Sequence, residues 1–219
     1  MKTIIDTQEK TTALHEAAHG VMGLLVPRIK LPYFITIVPN ATEGGSIKQG
    51  DWTRPIYPGY VRDMLVGNPG WARPCRDSVC ETIMVSLAGY VAEELARYPE
   101  ESRDGWRWAD MLWAYCDAKD FTDAFAWARA IEATEDDAST LAIRLAIKTE
   151  GLLREPALWA AVEALASHLL VSQTLEGAPL EAVVANVRQM VAPVHARLRR
   201  NLRARKRYHV GKEQARRAA

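Results

Sequence analysis

The chain has 219 residues, 48% of them hydrophobic and 25% charged, a balance that permits one or two packed domains and excludes a low-complexity chain. Its apolar runs, such as residues 83–87, are far too short to cross a bilayer, and the opening MKTIIDTQEK lacks a signal peptide's apolar core, so a cytoplasmic protein with no membrane insertion is expected. The net charge of +1 hides an asymmetry: residues 195–219 carry ten Lys or Arg against one Glu, a net of +9, which leaves residues 1–194 at −8.

A first helix is predicted from about 7 to 25, with Pro27 helping to end it. YFITIVP (33–39) alternates and is rich in β-branched residues, as a strand would be; NATEGGS (40–46) reads as a turn, and SIKQG returns as a second, edge strand. Residues 51–75, rich in Pro, Gly and Trp, read as an irregular excursion. Ser78 and Glu81 form an S-x-x-E capping box for a helix reaching about residue 97. YPEESRDG (98–105) breaks it, and 106–115 reads as a short amphipathic helix. From 119 onward the pattern is nearly all helix, in segments centred on 120–133, 136–150, 155–172 and 179–200, with breaks at Gly151, Pro156 and the GAP at 177–179. The expected fold is mostly α, formally α+β, with a small β element next to the first helix.

Cys75, Cys80 and Cys116 make an odd count with no C-x-x-C, which reads as reduced thiols rather than a metal site. The basic segment 195–219 reads as a solvated helix end or tail; its charge also suits an acidic partner or nucleic acid, although arginine runs without interleaved aromatics are a weak nucleic-acid signal.

The chemistry concentrates in ALHEAAHGV (13–21). On a helix, His15 and His19 lie on one face and can aim two imidazoles at one point, with Glu16 beside it. Zinc hydrolysis needs that arrangement: two neutral imidazoles on the metal and a carboxylate to take a proton from water. H-E-x-x-H also arises by chance on alanine-rich helices, and a zinc site needs a third protein ligand. His168, His195 and His209 lie far downstream, and residues 19–25 lack the H-x-x-G-x-x-H extension of another zinc-protease class. A carboxylate is therefore the expected third ligand, from Glu93, Glu94, Asp117, Asp120 or Asp123; spacing does not choose among them.

Several motifs in order carry a resemblance. HEAAHGVMGLLVP (15–27), FITIVPNATEGGS (34–46), SLAGYVAEEL (86–95), KDFTDAFAWAR (119–129) and LASHLLVSQTLEGAPLEAVV (165–184) resemble the peptidase domain of the FtsH-type AAA proteases over roughly residues 10–190. That resemblance implies His15, His19 and Asp120 as ligands of Zn²⁺, Glu16 as general base, and Glu93 as a carboxylate supporting a zinc histidine from behind. It implies a structural role for Glu94, and that Ala88 and Gly89 let their helix pack closely on the HEAAH helix. EGGSI (43–47), with Gly44, Gly45 and Ser46 at its centre, matches the edge strand along which an extended substrate pairs. Two alternatives stay open: Asp120 as a helix N-cap, and Glu93 as the third ligand in its place.

The departures are specific. Ala18 stands where the family has Gly, and the stretch from Glu94 to Asp120 is about ten residues longer than usual, rich in tryptophan (Trp106, Trp108, Trp113) and suited to a lid or to another packed helix. Trp52, Tyr57, Tyr60 and Trp71 of the excursion read as core, or as the lining of a substrate channel. No G-x-x-x-x-G-K-[ST] loop is present, so ATP dependence is not implied. The expected organisation is a zinc metallopeptidase domain over 1–194, with its catalytic part over about 1–133 and a helical part over 134–194, followed by the basic segment 195–219. Its expected activity is a zinc-dependent metalloendopeptidase acting on unfolded or flexible polypeptides. The competing expectations are a binding or regulatory module that retains the metal site, and a peptidase that needs a separate partner or ATPase.

Overall fold

The computed structural model describes residues 2–26, 32–39, 45–49, 58–67, 72–99, 108–110 and 117–218. Among these the chain is mostly helical, with a small antiparallel sheet. Its elements are α1 (Lys2–Leu25), β1 (Pro32–Thr36), β2 (Ser46–Gln49), α2 (Pro58–Gly67), α3 (Ala72–Arg97), α4 (Lys119–Ile131), α5 (Glu135–Leu153), α6 (Pro156–Ser172), β3 (Thr174–Glu176) and α7 (Gly177–Ala218). No helix among the described residues is long and apolar enough to cross a membrane.

Helix α1 is central, packing on α3 and on α6. Ala13, Ala17, Ala18 and Val21 are fully buried, and these small side chains let the helices approach closely. The core is one cluster that takes in residues from Ala13 to Val194. The sheet has the order β2-β1-β3, with β1 in the middle. Ile35 pairs with Ile47 on one side and Leu175 on the other, and Thr36 with Ser46 and Thr174. Strand β3 thus ties the start of the chain to the helices that close it.

Several boundaries differ from expectation. Helix α3 begins at Ala72, not at the Ser78 capping box, because Pro74 lies in its first turn, where a missing N–H costs no intrahelical bond. The stretch read as an irregular excursion therefore contains the start of α3 and all of α2, and Tyr60 is half exposed rather than core and does not line the cleft described below. Trp52, Tyr57 and Trp71 lie outside the described residues. Helix α5 runs through Gly151 to Leu153, because the buried Thr149, Glu150 and Leu153 anchor it on both sides of the glycine. Thr134 caps α5, its hydroxyl accepting from the Asp137 N–H at 3.1 Å, and Pro156 sits in the first turn of α6. Strand β3 was not expected: three residues are too few for alternation to register, and its entry depends on Gln173 in the left-handed region at φ 55° and its exit on Gly177 at φ 56°. Cys75 and Cys80 are half-buried free thiols whose pKa values are raised by burial. Cys116 is outside the described residues.

Of the tryptophan-rich insertion, residues 108–110 are described, and Trp108 among them is buried. Trp108, 1% exposed, donates its indole N–H to Glu150 Oε2 at 2.9 Å. Arg154 Nε donates to Glu150 Oε1 at 2.9 Å, and Arg154 Nη1 donates to the Pro99 carbonyl at 2.7 Å. Trp108 is therefore packed core rather than lid; Trp106 and Trp113 lie outside the described residues. Replacing Glu150 by Ala removes the acceptor of the indole and the anion facing Arg154, and is expected to lower stability by roughly 2–4 kcal/mol. Glu150→Gln keeps an acceptor and should lose less. Urea midpoints check this; unchanged midpoints for both variants would contradict the buried-anchor role.

Candidate metal centre

Alanine-rich α1 presents His15, Glu16 and His19 on the face that meets α3 and the first turn of α4. Their side chains, with Gly45, Ser46, Tyr90, Glu93 and Asp120, line an open cleft of about 530 Å³. Three donor atoms converge in it. His15 Nε2 and His19 Nε2 are 3.0 Å apart, and Asp120 Oδ2 lies 2.9 Å from the first and 3.2 Å from the second. Among the described residues these three form the group of His, Cys, Asp and Glu side chains able to hold a metal ion.

The other side of each imidazole is fixed. His15 Nδ1–H donates to Glu93 Oε1 at 2.7 Å, and His19 Nδ1–H donates to the Val85 carbonyl at 2.6 Å. Both acceptors leave Nε2 as the nitrogen that faces the cleft. Glu93 is itself held: Arg97 Nη2 approaches its Oε2 at 3.7 Å while Arg97 Nη1 donates to Glu94 Oε1 at 2.7 Å. Tyr90 packs edge-on against the His15 ring, with centroids 4.9 Å apart, and lies 4.8 Å from Phe121 of α4. A Cβ on Gly89 would lie 2.4 Å from His15 Nε2, so only glycine lets α3 pass this close to the ring. Gly45 is similarly constrained, since a Cβ there would lie 2.8 Å from Glu16 Oε1 and 2.9 Å from the Thr36 carbonyl.

Electrostatics match the geometry. Burial opposes a charge on His15, but hydrogen bonds with Asp120 and Glu93 and the charges of Asp120 and Glu16 outweigh it, and its pKa is pushed up to about 10. His19 is also raised, burial again opposing and the Asp120 carboxylate prevailing. Burial would raise the Asp120 carboxyl, yet the two histidines hold it well below the usual carboxylate range. The cleft thus favours positive charge at the point where the three donors meet.

The three donor atoms are spaced as a bound metal ion would need. Tetrahedral coordination with bonds of about 2.0–2.1 Å separates ligand atoms by roughly 3.3–3.4 Å, a few tenths beyond the spacings found. Two imidazoles and a carboxylate are a combination that would hold a divalent transition-metal ion with three protein ligands.

No protein-family model matches this chain, and no curated protein matches it. The site is therefore judged on its own geometry. Asp120 lies in the first turn of α4, where the N-cap is Ala118 and makes no side-chain cap; the Asp120 carboxylate turns to the histidines instead. Glu93 contacts the far nitrogen of His15, on the side away from the point of convergence. Asp117 is exposed at the cleft rim, Asp123 is exposed on α4, and Glu94 pairs with Arg97. His168 is exposed on α6 and His195 lies on α7. Of the glycine-serine stretch, Gly45 and Ser46 line the cleft, and Gly44 is outside the described residues. The Val85 carbonyl, Tyr90 and Arg97 were not singled out from the sequence. A backbone acceptor leaves no sequence signal; Arg97, three and four residues beyond two glutamates, does leave one.

Proposed function

We propose that this chain is a zinc-dependent metalloendopeptidase that cleaves unfolded or flexible polypeptides and needs no ATP for the chemical step. The observation that carries this reading is the convergence of His15 Nε2, His19 Nε2 and Asp120 Oδ2 within 3.2 Å of one another, in a cleft that Glu16 also lines. The order of the FtsH-like motifs supports the same reading. An ion held by these three side chains supplies Lewis acidity toward a scissile carbonyl and toward a water molecule.

The chain's own residues do the rest. Glu16, 5% exposed, takes a proton from the attacking water and returns it to the leaving amine. Glu93 and the Val85 carbonyl keep both imidazoles in the orientation that binding requires. Strand β2 is paired with β1 alone among the described strands, and Gly45, Ser46 and Ile47 border the cleft. An extended peptide adding to that edge would run past the metal point, held by backbone hydrogen bonds and so with little demand on sequence. The same reading has the protein act in the cytoplasm, where its cysteines stay reduced.

The test is digestion of casein, an unfolded protein, by the zinc-loaded chain without ATP. Cleavage should stop on adding a chelator and return on restoring zinc. Cleavage that is indifferent to the chelator, or a zinc-loaded chain that never cuts, would sink the proposal.

A further inference from the structure

Four rings run in one row from α1 to α4. His19 and His15 meet with centroids 4.7 Å apart and planes at 73°, His15 meets Tyr90 at 4.9 Å and 82°, and Tyr90 meets Phe121 at 4.8 Å and 46°. All three separations fall in the range over which aromatic rings attract one another. The row starts with two residues of the metal-binding group and ends at the neighbour in sequence of the third, Asp120. It therefore joins the two helices that supply the donor atoms, and Tyr90, on α3, is the ring that links them.

We infer that Tyr90 is a positioning residue whose ring sets the distance between His15 and Asp120, and through it the affinity and geometry of the metal centre. The inference rests on the metal reading of the cleft. His15 is held from α3 in two further ways, by the close passage of Gly89 and by the 2.7 Å bond from Nδ1 to Glu93. Asp120 is held differently. The hydrogen bonds of its carboxylate run to His15 and His19, the groups that would share an ion with it. Each Nε2 must be free of its proton to bind an ion, so those bonds go when the ion enters. The carboxylate is then kept in place by the seat of α4's first turn. Phe121, 1% exposed, anchors that turn, and it lies on Tyr90. A flat ring with two side-chain torsions is a stiff spacer in a close-packed interior. The donor spacings are 2.9–3.2 Å, and a shift of α4 by about half an ångström is enough to spoil a site of this kind. The role belongs to the ring and makes no use of the hydroxyl.

The experiment compares the full chain with its Y90F, Y90L and F121L variants in zinc affinity, by chelator competition, and in the visible absorption of the Co²⁺-loaded protein, which reports coordination geometry. Urea midpoints are taken alongside. Y90F keeps the ring and should hold zinc within about twofold of the wild type, with the same Co²⁺ spectrum. Y90L keeps apolar bulk and helix propensity but loses the flat ring, and should bind zinc roughly tenfold more weakly or worse, with an altered spectrum. Phe121 supplies no donor atom, yet F121L should move both readouts in the same direction, and it carries the test should Y90L not fold. Wild-type affinity and spectrum in the leucine variants, whatever their urea midpoints, would make Tyr90 ordinary packing and overturn the proposal. So would a Y90F variant that loses as much affinity as Y90L, since the effect would then belong to the hydroxyl. A wild-type chain that takes up no zinc overturns the metal reading and this proposal with it, so the wild type alone tells the two failures apart.

Discussion

Glu16→Gln is expected to lower casein cleavage by roughly 10²–10⁴-fold while zinc uptake stays at wild-type level, because the substitution removes the base and leaves the donor atoms in place. Glu16 is buried at the cleft wall, and Gly45 passes so close to it that a Cβ there would lie 2.8 Å from Oε1. The carboxylate is held by its surroundings, and glutamine is nearly its shape, so the loss should be chemical rather than structural. Rate per bound zinc separates the two. A variant that cuts as well as the wild type would remove Glu16 from the proton path; one that loses zinc as well would make it part of the binding site.

Gly89→Ala is the second large effect. The added methyl would stand 2.4–2.5 Å from three atoms of the His15 ring, far inside van der Waals contact. The ring cannot simply turn aside, since Nδ1 is bonded to Glu93 at 2.7 Å and the Tyr90 ring packs against it at 4.9 Å between centroids. Either His15 leaves the point of convergence or α3 moves away from α1. Zinc affinity and activity should both fall at least roughly 10–100-fold, the scale seen when a metal histidine loses its orientation, with an overpacking cost of about 1–3 kcal/mol. Gly151→Ala is the matched control: nothing lies within 4 Å of its Cβ, so cleavage should be unchanged and stability should rise by about 0.4–1 kcal/mol. Equal effects from the two substitutions would mean that the close passage at Gly89 does not govern His15.

What the sequence made legible was local. His15, Glu16 and His19 lie within one helical turn, and the i, i+4 rule alone puts both imidazoles on one face. Asp120 is 105 residues from His15, and its position depends on how the first turn of α4 meets α1 and α3. Spacing left five carboxylates open, and only the resemblance ranked them. The contact of Glu93 with the outer nitrogen of His15, and the absence of a cap at Asp120, are facts of packing. The alternation of β1 was readable; the three residues of β3 were not, because their strand character comes from pairing with Phe34, Ile35 and Thr36. The length of α5 was misjudged at Gly151 for a similar reason: burial of its neighbours outweighs a glycine's cost of about 1 kcal/mol.

The most direct test of the metal centre is zinc affinity, measured by competition with a chromogenic chelator across about pH 6 to 8, for the wild type and Asp120→Ala. Each histidine must give up its proton to bind, and His15 holds its proton up to about pH 10, so wild-type affinity should climb with pH throughout that range, by up to about tenfold per unit for each proton released. Asp120, already ionised, adds no slope of its own. The wild type should bind one zinc, and Asp120→Ala should bind it at least roughly 100-fold more weakly, having lost one of three ligands. Equal affinity in the two proteins, or an affinity that ignores pH, would contradict a centre built on His15, His19 and Asp120.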